Sequence, residues 1–204
     1  MFPLSDAKIY SKKKPISLFF LIALNVYIFF STFNNLVFFI QNYGVIPKEI
    51  FEGKKLFTLF TSLFLHGSFW HLLGNMWFLW VFGENLEKRL GSLKFLFLYF
   101  LSGIFSMLFY SYFFHFSTIP LIGASGAISG VLGGYLIFFP RNRILTLIPI
   151  FFFFEIIEIP AFVFIIVWFL YQFLLLNTQS YIAYLAHIGG FLAGIFIAKL
   201  LKNK

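Results

Sequence analysis

Apolar residues in this chain come in long blocks, and the few polar residues gather between them. Several blocks approach the length of a bilayer-crossing helix, about 20 residues. The first follows Lys12-Lys13-Lys14-Pro15 and continues to about Ile40. It is too long for the apolar core of a cleaved leader, and no small-residue cleavage site follows it. Residues 41–65 are mixed, with Pro47, Lys48, Glu49, Glu52, Gly53, Lys54 and Lys55, and read as a long loop partly buried in the interface. A second block runs from about Ser68 to Gly83 and ends in a charged turn, Glu84 to Arg89. A third covers about Leu93 to His115, and a fourth starts near Ser125 and stops at Pro140-Arg141-Asn142-Arg143. After a Phe-rich connection holding Pro149, Glu155, Glu158 and Pro160, a fifth covers Ala161 to Leu176. The sixth extends from about Tyr181 to Leu201. The expected fold is all-α: a polytopic six-helix membrane bundle over residues 16–201, between a short segment 1–15 and a tail 202–204. The stretch 144–159 is where a seventh helix competes with that count.

Composition agrees and excludes the alternatives. Hydrophobic residues make up 61% of the 204 and charged ones 11%, against roughly 45–50% and about 25% in soluble domains. A soluble fold could not cover its surface with so few polar groups, and disorder needs the opposite composition. The absence of cysteine removes disulfides, thiolate metal sites and a cysteine nucleophile. The net charge of +8 is an orientation signal rather than a nucleic-acid surface. With the N-terminus inside, the inner segments hold Lys8, Lys12, Lys13, Lys14, Lys88, Arg89, Lys94, Arg141, Arg143, Lys199, Lys202 and Lys204, which is 12 of 15 basic residues. Lys48, Lys54 and Lys55 stay outside. Both termini are then cytoplasmic, and residue usage with the compact six-helix core suggests a prokaryotic cell membrane.

Polar groups at membrane depth are costly unless paired or facing a cavity. Four stand out: His71, Asn75, Ser125 and His187. Each falls in the first turns of an inward-running helix, so all four should meet near the outer face. His71 and Asn75 are four apart and share a helical face. Gly126, Gly130 and Gly134 recur along the fourth helix, and Ala186, Gly190, Gly194 and Ala198 along the sixth. Small residues at this interval let backbones approach closely in lipid. If these stripes pack together, Ser125 and His187 come into range, as a serine activated by a histidine base requires. Taken singly each residue has a plainer role: the serine bonding its own backbone, the histidine packing, the asparagine joining helices. His66 and His71 have no carboxylate at ligand spacing on the outer side, so neither a metal nor another cofactor is expected.

At these residues the chain resembles the rhomboid family of intramembrane serine proteases. Gly123-Ala124-Ser125-Gly126 and Ala186-His187-Ile188-Gly189-Gly190 match its two signature helices. His66, His71 and Asn75 stand as in its His-x4-His-x3-Asn, and Gly83, Glu87 and Gly91 as in its Gly-x3-Glu-x3-Gly. One departure is Phe57-Thr58, where members often carry Trp-Arg in a loop thought to brace the protein laterally. The resemblance implies a six-helix rhomboid bundle that cuts single-pass transmembrane proteins near the outer end of their helix, with membrane lipid as surroundings and no nucleic-acid partner. It also implies a fifth helix, with Trp168, serving as lateral gate.

The residues themselves restrict the chemistry. A serine needs a general base, and histidine suits that role near neutral pH. No Asp or Glu lies near the outer ends of the second, fourth or sixth helix, so a Ser125–His187 dyad is expected, with His71, Asn75 and the Ser125 N–H as oxyanion donors. The fourth helix is too short to span the apolar layer. Ser125 should therefore be submerged, reached by water, and met by an enclosed non-helical segment from His115 to Ile122. A scissile segment should unwind easily, with Gly, Ser or Ala. The alternative is a catalytically silent rhomboid-like protein that binds membrane clients. A transporter with histidine proton sites is a weaker reading, since no inverted repeat is visible.

Overall fold

Helices occupy the apolar blocks, and one connection between them is a β-hairpin. The computed structural model describes residues 1–7, 13–150, 153–176 and 182–203. Lys8, Lys12, Tyr181 and Lys204, named above, lie outside the described residues. Helix α1 (Ile16–Thr32) continues through a 3₁₀ turn into α2 (Leu36–Tyr43), so the first block is one long rod. The mixed stretch that follows carries short helices α3 (Pro47–Phe51) and α4 (Thr58–Thr61). Then come α5 (Phe69–Leu90), α6 (Ser92–Phe113), α7 (Ser125–Phe138), α8 (Ala161–Leu174) and α9 (Tyr184–Lys202). Residues 16–43, α6 and α9 are long and apolar enough to cross a membrane; α7 and α8 are shorter apolar helices. Trp70, Leu93, Phe116 and Leu174 stand open on the outside, as a protein solvated by lipid allows.

Two expectations need correction. Glu84 to Arg89 is not a turn but the last part of α5, where Lys88 bonds Glu84 at 2.6 Å one turn earlier. The reversal comes at Gly91, whose φ of +79° favours glycine. The described residues between 144 and 159 form no seventh helix. Strands β2 (Arg143–Ile150) and β3 (Phe153–Pro160) form an antiparallel hairpin, and β1 (Phe2–Asp6) pairs with β2, giving the order β1-β2-β3. The all-α description therefore fails at this end of the bundle. Pro149 would break a helix here, whereas Ile144 and Ile159 meet as a buried cross-strand pair. Strand β1 is tied down by side chains of the bundle: Trp77 Nε1 donates to the Pro3 carbonyl at 2.6 Å, and the Asp6 carboxylate accepts from Asn85, Asn142 and Tyr135.

The Gly-x3-Glu-x3-Gly stretch works as a staple between helices. Buried Glu87 accepts from the backbone N–H groups of Ser17 (2.9 Å) and Leu18 (2.7 Å) at the start of α1, and from Ser92 Oγ (2.7 Å) at the start of α6. Gly83, one turn earlier, leaves room for Leu18, which would stand 2.9 Å from an added Cβ.

Helix α7 is the centre of the bundle, held between α6 and α9. An added Cβ on Gly126 or Gly130 would run into Ser106 or Ser102 of α6. On the other side, Gly190 and Gly194 of α9 sit directly against the carbonyls of Gly126 and Gly130. Gly134 continues the row toward α6, against Leu98, and also meets Leu86 of α5. Gly133 meets α9 instead, against Phe191 and Ile195.

Candidate active site

Ser125 is the first residue of α7, half-buried, and the route by which the chain reaches it is built from backbone hydrogen bonds. The Ser117 carbonyl accepts from Lys48 N (3.1 Å), Val45 and Leu121 exchange two bonds (2.9 and 2.7 Å), and Gly123 N donates to the Ser62 carbonyl (2.9 Å). Residues 121, 123 and 124 are buried. The expected enclosure from His115 to Ile122 therefore holds only at its end: Phe116 and Ile119 stand exposed, and the backbone is enclosed from Leu121 onward, where its bonds to Val45 and Ser62 satisfy it as irregular backbone at membrane depth requires. Helix α7 has 14 residues, about 21 Å, against about 30 Å of hydrocarbon.

Gly123 is where α5 meets this segment. Its φ is +111°, and an added Cβ would stand 2.7 Å from His71 Nε2 and 3.7 Å from Asn75 Nδ2. Both the backbone angle and the space demand glycine. His71 and Asn75 therefore converge on the backbone two residues before Ser125. Ser68 caps α5, its Oγ accepting from His71 N at 3.1 Å, so His71 lies in the first turn. Its Nδ1 faces Gly67 N at 3.4 Å. An N–H can only donate, which leaves the His71 ring proton on Nε2, toward Gly123. His66 packs edge-on against the same ring, with centroids 5.0 Å apart. Asn75 is 8% exposed, and its Nδ2 has no hydrogen-bond partner among the described residues.

His187 lies in the first turn of α9, one residue after Ala186, whose carbonyl faces Gly126 of α7. Its ring stacks on Trp168 of α8 (6.3 Å between centroids, 29° between planes) and meets Tyr184 edge-on at 6.1 Å. Nδ1 lies 2.9 Å from Oε1 of Gln172, also on α8. Among the described residues no hydrogen bond joins Ser125 to His187; Ser125 uses its carbonyl to accept from Ser129 Oγ at 2.7 Å. Such contacts are often long before a substrate seals the site.

A domain model described as the Rhomboid domain matches residues 53–204, well over half of the chain. The chain belongs to the rhomboid family. This membrane protein is 30% identical over 205 residues, 97% of its length, to the Rhomboid protease GluP of Bacillus subtilis, covering 37% of that protein. It is 37% identical over 114 residues to the mitochondrial Rhomboid protein 1 of Saccharomyces cerevisiae, covering 54% of this chain and 32% of the relative. It is also 32% identical over 99 residues to the Inactive RHOMBOID-like protein 8 of Arabidopsis thaliana, covering 48% of this chain and 28% of that one. The chain spans about a third of the length of these relatives. Rhomboids thus include proteins named as proteases and one named inactive, and the side chains of the individual member decide between them.

Two residues near His187 were missed in the sequence. Trp168 was read as part of a gate, yet its indole covers the histidine ring. Gln172 belongs to no motif and carries no charge. Its signal was present: an amide in an otherwise apolar helix needs a reason to be there.

At the departure from the family pattern, Phe57 lies edge-on to Tyr43 at 6.2 Å, and Thr58 Oγ1 donates to the Lys55 carbonyl at 2.8 Å. The positions of the usual Trp-Arg pair here fasten the loop to itself and to the end of α2.

Proposed function

We propose that this rhomboid is an intramembrane serine endopeptidase that cleaves the helices of single-pass membrane proteins near the outer face. The observation that carries the reading is the convergence of His71 Nε2 and Asn75 Nδ2 on Gly123. These are two donors, one of them buried without a partner, aimed at the backbone beside a serine that opens a helix. Leaving a buried donor unpaired costs about 1–3 kcal/mol, a cost that makes sense where a substrate oxygen completes the bond.

The chemistry proceeds by acyl transfer. His187 Nε2 takes the proton from Ser125 Oγ as the oxygen attacks the scissile carbonyl carbon. The resulting oxyanion accepts from Asn75 Nδ2, from His71 Nε2–H, and from the Ser125 N–H, one of those a helix start leaves unpaired. His187 then returns the proton to the leaving nitrogen as the C–N bond breaks. Water repeats the sequence to release the acyl group from Ser125. The bundle crosses the membrane six times in this reading, with the Lys88, Arg89 and Arg141 end cytoplasmic. The match along nearly all of this chain to a Bacillus subtilis relative supports a bacterial cell membrane.

The experiment is labelling of the purified, detergent-solubilised protein with a fluorophosphonate, beside cleavage of a reporter whose transmembrane segment contains Gly, Ser or Ala. The parent protein should be labelled and should cleave, and Ser125→Ala should do neither. Equal labelling of both proteins sinks the serine assignment. A parent that copurifies with clients yet takes no label instead favours the silent client-binding reading, which the inactive-named relative keeps in view.

Asn75→Ala separates function from stability. Its Nδ2 has no partner to lose, so melting should stay within about 1 kcal/mol of the parent. Turnover should fall by about 10²–10³-fold, the usual cost of one oxyanion donor. Parallel measurement of reporter cleavage and thermal melting checks both halves, and a large drop in melting with unchanged turnover contradicts them.

A further inference from the structure

The hydrogen bond of His187 brings a third residue into the site. Gln172 is 4% exposed and lies one turn after Trp168 on α8. Its amide orientation follows from its second contact, since Nε2 stands 2.9 Å from the Trp168 carbonyl oxygen. A carbonyl can only accept, so the amide nitrogen belongs there and Oε1 faces His187. An amide oxygen also only accepts. His187 Nδ1, 2.9 Å away, must then carry the ring proton, leaving the lone pair on Nε2.

We propose that Gln172 is a positioning residue that holds His187 in the Nδ1–H form and fixes the plane of its ring. This rests on the reading of His187 as the general base. Gln172 takes the orienting place that a carboxylate holds in a Ser-His-Asp triad. The choice of an amide has a physical reason. A carboxylate at this depth would lose several kcal/mol of hydration, whereas an amide orients the ring with no charge to desolvate. Trp168 takes part twice, its carbonyl setting the Gln172 amide and its indole covering the imidazole.

The surroundings of His187 make the inference testable by pH. The titratable groups facing it among the described residues are His71 of α5 and Tyr184 on α9 itself. Helix α8 contributes Trp168 and Gln172, α7 meets this part of α9 with Gly126, and α6 faces it with Phe109. A carboxylate introduced at position 172 would be the one acid against the ring, and it would stabilise the imidazolium.

The experiment compares the full chain with Gln172→Met and Gln172→Glu, reading the fluorophosphonate labelling rate and reporter kcat and KM across pH 5–9. Gln172→Met keeps the volume and removes the acceptor. Labelling rate and kcat should fall about 10- to 100-fold with KM within about twofold, since the loss lies in general-base catalysis. Gln172→Glu accepts the same bond and should recover the rate to within about threefold of the parent, with the acid limb moved up by about one pH unit. The sign follows from the need for a neutral base: a steadier imidazolium persists to higher pH. Equal labelling of the parent and Gln172→Met overturns the inference while leaving the protease reading intact. Equal losses in both variants with an unmoved acid limb also overturn it, because a merely structural role predicts that result. A parent that no fluorophosphonate labels overturns the protease reading and this inference with it.

Discussion

His187→Asn is expected to reduce cleavage of a transmembrane reporter by at least about 10³-fold, while the protein stays folded. The substitution is chosen for its geometry. The amide nitrogen of asparagine falls near the place of Nδ1 and can still donate to Gln172 Oε1, so the bond that ties α9 to α8 persists. What disappears is Nε2, and with it the group that takes the Ser125 proton. The loss of ring contact with Trp168 and Tyr184 should cost about 1 kcal/mol. Fluorophosphonate labelling should fall in parallel, because it needs the same activated oxygen but no bound helix. Turnover within tenfold of the parent would place the base elsewhere.

Glu87→Ala should have the largest effect on stability, a loss of about 3–5 kcal/mol. Two N–H groups at the start of α1 and the Ser92 hydroxyl at the start of α6 all depend on this one buried carboxylate. Each bond to a charged acceptor contributes about 1.5–3 kcal/mol, and the Ser17 and Leu18 N–H groups left behind are buried. The negative charge also lies at the N-terminus of α1, where the helix dipole favours it. Glu87→Gln keeps one accepting oxygen and should lose about half as much. Thermal melting in detergent reads both variants. An unchanged melting temperature for Glu87→Ala would remove the staple from the account, as would a loss of activity in a protein that melts normally.

The two effects separate what the shared motifs do. His71 and Asn75 converge on Gly123, two residues before Ser125, whereas Glu87 joins helices at the opposite end of α5 and touches neither of them. Both kinds of residue are polar groups in an apolar chain, so polarity alone could not distinguish a site from a staple. The partners do: Glu87 has its hydrogen bonds filled by the protein, and Asn75 has a donor left over.

Much of the candidate site was legible in the chain because its parts are local. A four-residue spacing puts His71 and Asn75 on one face of α5, and glycine at regular intervals announces where α7 and α9 approach. The glycine stripe marks a close approach, but spacing alone does not say which neighbour each glycine serves. Gly126, Gly130 and Gly134 form a row toward α6, where an added Cβ would meet Ser106, Ser102 and Leu98, while Gly133, about 100° around the helix from Gly134, meets α9. The contact with α9 is made by the carbonyls of Gly126 and Gly130, against Gly190 and Gly194.

The hairpin was not legible because a short apolar run does not separate a buried strand from a helix. The pairing of β1 with β2, across roughly 140 residues of chain, has no local signature at all. The sequence by itself determined the membrane class, the blocks that become helices, and that His71 and Asn75 share a face of α5, since each depends on hydrophobicity or on spacing within one helix. Only the tertiary structure decided that Arg143–Ile150 and Phe153–Pro160 fold as strands, that Glu87 anchors α1, and that Gln172 stands against His187. Those are contacts between distant segments, and which hydrogen-bond partner a polar side chain finds is settled by the packing that brings the segments together.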